Sequence, residues 1–245
     1  KKFDIGVDLN LFDQVSITFD YFHDRRDRIL QKRGSWPVIM GYAHATPWSN
    51  IGKVDNKGFE LSVNWKKEII KDMFVDLRGN FTYTQNKYVY NDEPDYPYIW
   101  QTKTGKPLSC TYGYIADGLF KDEDDIRNSP SQKNLGSTVM PGDIKYRDVN
   151  GDGTITTEDQ IMLSRYGGMP RIQYGFGLNW TYKNIDFGVF FNGSAKRTLM
   201  IDNIAPFCSD VGNQDRNLMK FIADNYWSEA NPNPEAAYPR LGVNN

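Results

Sequence analysis

Phe3-Asp4-Ile5-Gly6-Val7-Asp8-Leu9-Asn10-Leu11 decides the fold, because every odd position is apolar and every even one is polar or glycine. Successive side chains of a β-strand point to opposite faces, so this stretch has one apolar face and one wet face. The alternation returns at Val15/Ile17/Phe19/Tyr21, at Phe59/Leu61/Val63/Trp65 and at Val75/Leu77/Phe81/Tyr83. It returns again at Ile172/Tyr174/Phe176/Leu178/Trp180 and at Phe187/Val189/Phe191. Antiparallel strands are therefore expected near 2–11, 14–26, 57–69, 73–91, 171–183 and 185–200. A soluble sheet turns its apolar face inward. A membrane barrel turns it outward, with strands of about ten residues.

The connections decide between the two. Phe12-Asp13-Gln14, the residues around Ile70-Lys71-Asp72, and Lys183-Asn184 are short links of the kind that join antiparallel hairpins. The intervening segments 27–56, 91–169 and 202–245 are long, with a short helix expected from Asn217 to Trp227, where Leu218, Phe221 and Ile222 fall near helical spacing. Loops of such length count against a compact soluble domain, whereas short turns at one end and long loops at the other are barrel architecture. The reading is all-β: an antiparallel transmembrane β-barrel segment with long extracellular loops. Ile5, Val7, Leu9, Ile17, Phe19, Leu61 and Val63 would face lipid. Trp65, Trp180 and Tyr182, close to the short turns, would form an interfacial belt. The opposite parity carries Glu60, Asn64, Asp76, Arg78, Asn80, Arg171 and Asn179, which suit a watery lumen or a solvated sheet face equally.

Composition agrees. With 39% hydrophobic residues and a mean hydropathy of −0.63, the chain has no apolar run that approaches a membrane helix. Aromatic residues reach 14%, which suits interfacial girdles or sugar-facing surfaces. A net charge of −2 gives no electrostatic argument for nucleic acid. Cys110 and Cys208 match no metal or redox spacing, and whether they pair is open. Residue 1 opens inside strand-patterned sequence, so the chain is expected to be a piece of a longer protein.

The middle of the chain carries a resemblance. Tyr112-Gly113-Tyr114-Ile115-Ala116-Asp117-Gly118-Leu119-Phe120 precedes Asp125-Ile126, and Pro141-Gly142-Asp143-Ile144-Lys145-Tyr146-Arg147-Asp148-Val149-Asn150-Gly151-Asp152-Gly153 follows. Then come Pro170-Arg171-Ile172-Gln173-Tyr174-Gly175-Phe176, Asp186-Phe187 through Phe191-Asn192-Gly193, and Tyr226-Trp227 ahead of Tyr238-Pro239-Arg240-Leu241. This ordered series resembles the SusC/RagA-type TonB-dependent transporters of Bacteroidetes outer membranes. The resemblance implies a 22-stranded barrel filled by an N-terminal plug, a SusD-like surface lipoprotein as partner, and energy delivered through TonB from the periplasm. Residues 1–245 would supply about six strands of that one barrel domain, with the plug and the closing C-terminal strands outside this chain. Six strands of a large barrel cannot close on their own, and an open sheet edge is not viable in lipid.

One motif points to metal. Asp148-Val149-Asn150-Gly151-Asp152-Gly153-Thr154-Ile155-Thr156-Thr157-Glu158-Asp159 places oxygen donors at positions 1, 3 and 5, glycine at 6 and an acid at 12. A Ca²⁺ loop uses that spacing, with Asp148, Asn150, Asp152 and Asp159 giving side-chain oxygens and Thr154 its carbonyl. Dockerin modules also close such a loop with Asp, although they carry two repeats. The alternative is an Asx-rich turn whose carboxylates accept from backbone N–H groups without metal.

No catalytic constellation is found. His23 and His44 sit in no nucleophile or zinc motif, and the run Lys121-Asp122-Glu123-Asp124-Asp125 reads as a solvated loop or a helix start. Trp36, Tyr42, Trp48, Tyr96, Tyr98 and Trp100 are candidates for ligand or lipoprotein contact, since rigid aromatic faces stack on sugars and anchor interfaces. The expected function is a non-enzymatic outer-membrane importer of oligosaccharides or oligopeptides. The alternative is a secreted soluble β-domain whose dockerin-like loop supports glycan binding. An enzyme of the β-sandwich glycosidase kind lacks a recognisable carboxylate pair.

Overall fold

The computed structural model describes residues 1–37, 39, 46–136, 138–200 and 219–241. Six long strands form one antiparallel sheet in the order β1-β2-β3-β4-β9-β10. They are β1 (Lys2–Leu11), β2 (Val15–Lys32), β3 (Trp48–Ile70), β4 (Met73–Tyr90), β9 (Ile172–Tyr182) and β10 (Ile185–Ala195). The short connections turn as expected: left-handed backbone at Phe12 and Asp13 (φ 56° and 54°), Asp72 (63°) and Lys183 (54°) reverses the chain. The Asp72 N–H donates to Glu68 Oε1 at 3.2 Å, fixing the β3–β4 turn.

Register aligns the alternation of all six strands into rows. Val7, Phe19, Leu61, Phe81 and Tyr174 lie side by side, and so do Leu11, Val15, Trp65, Leu77, Leu178 and Val189. Phe19, Phe59 and Phe81 stack in sequence at centroid separations of 6.1 and 5.7 Å, and Phe176 meets Phe191 at 5.0 Å. Such cross-strand aromatic contacts stabilise a sheet by roughly 0.2–1 kcal/mol per pair. This face is apolar yet open: Ile5, Val7, Phe176 and Phe187 are about half exposed. The opposite face carries rows such as Asp8–Thr18–Ser62–Asn80 and Asn10–Ser16–Asn64–Arg78. A soluble sheet would hide the first face and wet the second.

The strands run further than alternation indicates. β2 continues to Lys32 and β3 starts at Trp48, so half of the connection expected over 27–56 is strand. The reason lies in the solvent. Alternation is imposed only where the two faces meet different surroundings, and Arg25-Arg26-Asp27-Arg28 carries charge on both faces. A β-bulge with Arg28 at φ 60° bends β2 there. At 23 residues β3 is about 76 Å long, far more than a bilayer requires.

Where β4 ends, Asp92 is buried and pins the β2–β3 connection. Its carboxylate accepts from Arg33 Nε (2.8 Å), Ser35 Oγ (2.9 Å), the Ser35 N–H (3.3 Å) and Tyr90 OH (3.2 Å). Burial opposes ionisation, but Arg33 and the Ser35 donors outweigh it and hold the Asp92 carboxyl below the usual range. Its contribution is thus complete above the unfolded carboxylate value, about pH 4, and is lost as pH falls through the lower folded value. The protection of the Ser35 amide against hydrogen exchange should fall as pH drops below about 4 in the native protein but show no such step in Asp92→Asn. Equal pH profiles would refute the pin.

Residues 112–163 and 199–245 cluster as a second compact unit, distinct from 1–111 with 164–198. Its elements are short: β5 (Thr111–Gly113), β6 (Ala116–Leu119), β7 (Ile144–Tyr146), β8 (Ile161–Ser164), α1 (Glu123–Arg127) and α2 (Lys220–Ala223). Asp122 caps α1 by accepting from the Asp125 N–H at 2.8 Å, so the acidic run is a helix start. The helix expected over 217–227 is only one turn, 220–223. Trp227 lies beyond it in extended chain, and Asn217 and Leu218 fall outside the described residues, as do Tyr42, His44 and Cys208. Among the described residues, Phe120, Ile155, Ile222 and Trp227 are buried apolar side chains of this unit, while the six-stranded sheet contributes only Val54. Much of the long connection from 91 to 169 therefore folds with the C-terminal segment into a module with its own core.

Candidate functional site

The polar face of the sheet is the first candidate. Arg78 places its guanidinium 5.5 Å from the Phe190 ring centroid. A cavity of about 240 Å³ there is lined by Ser16, Thr18, Ser62, Asn64, Asn80 and this pair. Phe190 breaks the alternation, because Val189, Phe190 and Phe191 are apolar on both parities. Its ring lies over the backbone of Gly175 and Gly177, where an added Cβ would come within 2.8 and 2.9 Å of ring carbons. Sequence reasoning missed Phe190. The signal that finds it is the glycine pair at one parity of β9.

The second unit brings together residues far apart in sequence. Gly142, at φ 85°, lies flat against the Trp227 indole, so an added Cβ would meet Cδ2 at 2.2 Å. The Asp143 carboxylate pairs with Arg240 at 2.6 Å and accepts from the Met140 N–H at 2.9 Å. The Arg240 N–H donates to the Gly142 carbonyl, and the Trp227 N–H to the Tyr238 carbonyl. Pro141-Gly142-Asp143, Tyr226-Trp227 and Pro239-Arg240 thus form one cluster. Gly142→Ala should cost about 2–4 kcal/mol, adding left-handed backbone strain to displacement of a buried ring. Hydrogen exchange at the Arg240 amide would measure it, and an unchanged rate would sink the packing argument.

Nearby, Asp117 binds Arg147 through both carboxylate oxygens, and Asp125 meets Lys145 at 2.8 Å. Hydrogen bonds from these cations hold both carboxyls below their usual range. Buried Gln132 spans β7 through its amide, donating to the Ile144 carbonyl at 3.0 Å and accepting from the Tyr146 N–H at 2.7 Å. A ligand-sized groove of about 600 Å³ runs past Phe120, Ile126, Pro130, Gln132 and Val139.

The 148–159 loop folds on itself. Asp148 accepts from the N–H groups of Gly151 and Gly153 at 2.6 and 2.7 Å, Asn150 from Asp152, and Asp152 from Thr154. Asp159 is fully buried. Its Oδ1 accepts from the Val149 and Asn150 N–H groups (2.8 and 3.3 Å), and its Oδ2 from the Thr156 N–H (2.8 Å). Thr154 pairs its backbone with Ser131. These are nested Asx turns. Among the described residues no group of three or more His, Cys, Asp or Glu side chains is placed to hold a metal ion.

The aromatic candidates separate. Tyr98 and Trp100 stack face to face at 4.6 Å, and Ile99 between them is 84% exposed. Trp48 opens β3 under the Lys32 ammonium at 5.6 Å, whereas the Trp36 indole nitrogen is buried. His23 lies on β2, 4.0 Å from Asp55. Cys110 Sγ donates to the Pro107 carbonyl at 3.3 Å. Trp180 and Tyr182 stack at 6.2 Å beside the β9–β10 turn, with Lys183 over Tyr182, as a belt requires.

Residues 1–227 match the family described as TonB dependent receptor-like, beta-barrel. TonB-dependent receptor P3 of Formosa agariphila is 25% identical over 254 residues, covering 98% of this chain and 24% of that protein. TonB-dependent receptor SusC of Bacteroides thetaiotaomicron is 27% identical over 161 residues, covering 62% of this chain and 15% of the relative. The structure of the RagAB peptide importer in its open-open state superposes with a TM-score of 0.65 at 18% identity, over 98% of this chain and 25% of that one. The chain thus spans about a quarter or less of the length of these relatives.

Proposed function

The chain belongs to the TonB-dependent receptor-like β-barrel family, and on that premise we propose that it is part of the wall of an outer-membrane importer for oligosaccharides or oligopeptides, energised through TonB. The observation that supports this reading is the pair of faces on the six-stranded sheet. Apolar rows lie open on one side and polar rows on the other, and the packed apolar core is in the second unit. Lipid is the solvent that makes such a sheet stable, and the polar face then lines an aqueous lumen. On this reading the long connections of the sheet face outward from the cell. Their exposed Ile99 and stacked Tyr98–Trp100 offer contact to a SusD-like lipoprotein or to ligand. The relatives are described as receptors and importers, which supports a non-enzymatic role.

The test is uptake. Cells with the full-length gene should accumulate labelled oligosaccharide or oligopeptide only while TonB is functional, and the protein should fractionate with the outer membrane. Folded full-length protein recovered without detergent would instead support the secreted glycan-binding module. For the 148–159 loop we propose weak Ca²⁺ binding, on the order of 10⁻⁴ M or weaker, through Asp148, Asn150, Asp152, Thr154 and Asp159, supported by their spacing. Calorimetric titration of the detergent-folded protein with CaCl₂ should show heat that Asp152→Ala abolishes, and a flat titration of the native protein overturns it.

A further inference from the structure

The lipid-facing side of the sheet ends abruptly. Ile5, Tyr21, Phe59, Tyr83 and Ile172 form the last apolar row away from the short turns. The next row on that face opens with Phe3 on β1 and continues with His23, Lys57 and Gln85, and the one beyond it holds Arg25, Asp55 and Lys87. Lys196 reaches the same edge, its ammonium 5.3 Å from the Tyr83 ring centroid. A cavity of about 230 Å³ opens between Tyr21, His23, Asp55, Lys57, Gln85 and Lys87.

The charges are unequal. Asp55 is the one carboxylate here: it lies 3.9 Å from Arg25 and 4.0 Å from His23, faces Lys87 across the strands, and its buried Oδ1 accepts no hydrogen bond, so the surrounding cations outnumber it. Lys57, Lys87 and Lys196 are exposed and form no ion pair among the described residues. Nothing in the hairpin geometry needs two unpaired lysines on the outward face one and two rows above the apolar band. Lys57 faces Gln85 and Lys87 faces Asp55, so the two lysines are diagonal neighbours about 7–8 Å apart at the backbone, and their long side chains can converge on one tetrahedral anion. An anion held there, with apolar chains below it against Phe19, Tyr21 and Phe59, has the build of a phosphate-bearing lipid.

We propose that Lys57 and Lys87, with Arg25 and His23 beside them, form a binding ledge for the phosphate headgroup of an anionic membrane lipid. The lipid's acyl chains lie along the Phe19–Phe59–Phe81 aromatic stack. The proposal rests on the membrane reading above and adds a specific lipid contact to it. The ledge fixes how deep the sheet sits, because its cations pair with phosphate at one level only.

The test uses full-length protein purified in neutral detergent and titrated, under native mass spectrometry, with phosphatidylglycerol and separately with phosphatidylcholine. The native protein should retain phosphatidylglycerol preferentially, and retention should fall as salt rises. The double variant Lys57→Gln/Lys87→Gln should bind it about 25-fold more weakly, from about fivefold for each charge removed. Lys66→Gln, on the opposite face of β3, should leave retention unchanged. Full retention by the double variant, or equal loss in Lys66→Gln, overturns the ledge while the protein still fractionates with the outer membrane. A native protein that stays soluble without detergent overturns the membrane reading and the ledge together.

Discussion

Asp159→Ala should cost the second unit about 3 kcal/mol or more, the largest single-site effect expected outside the sheet. The side chain is fully buried and accepts from three backbone N–H groups at both ends of one loop, those of Val149, Asn150 and Thr156. Removing one partner of a buried hydrogen bond costs about 1–3 kcal/mol for the group left unmade, and three are stranded at once. Water can reach partly exposed Val149 and Asn150, which keeps the total below the sum. Native-state hydrogen exchange in the folded protein should show these amides opening together, with Ile155 on the same loop. Asp159→Asn keeps one acceptor and should fall between. A loss under about 1 kcal/mol would mean that the loop does not depend on its closing carboxylate.

The second large effect is Leu61→Arg. Leu61 sits between Phe19 and Phe81 in the middle of an apolar row. A charge at the bilayer midplane of a barrel costs about 2–4 kcal/mol, while a lumen substitution is mild. Asn64→Arg, three residues along β3 on the other face beside Arg78, should therefore lose little. Urea unfolding of the full-length protein from lipid vesicles would compare the two. Equal losses would show that the faces are not distinguished by their solvent, and a greater loss at Asn64 would invert the sheet.

How much of this was legible in the sequence follows from what each pattern encodes. Alternation records a one-sided solvent, so Val7, Phe19, Leu61 and Phe81 could be assigned to one face from parity alone. The same reasoning fails at Arg25-Arg26-Asp27-Arg28, where β2 continues with charge on both faces. It also fails at Phe190, which faces the polar side because two glycines on β9 leave it room. The spacing of Phe221 and Ile222 predicts a longer helix than the one-turn α2, because Ile222 is buried by tertiary packing and helical spacing cannot distinguish that from a helix face. Of the candidate site, the Asx spacing of 148–159 was readable, but the use of Asp159 as a buried staple was not. The meeting of Asp143 with Arg240, 97 positions apart, leaves no local trace. It appeared in the sequence only as motifs that recur together in a family.

The rows on the sheet also work as a depth gauge. β9 crosses the apolar band in 11 residues, about 36 Å of chain, which a tilt near 40–45° brings to about 26 Å of height. Trp180 and Tyr182 mark one limit and the row of Tyr21 and Tyr83 the other. A thicker bilayer would draw the lysines of the far rim into hydrocarbon, and a thinner one would strand aromatic rings in water. Each ångström of mismatch costs a fraction of a kcal/mol. The sheet should therefore be most heat-resistant at one lipid chain length and lose stability on both sides of it, so that membrane thickness acts on this protein much as a tailored solvent acts on a crystal face.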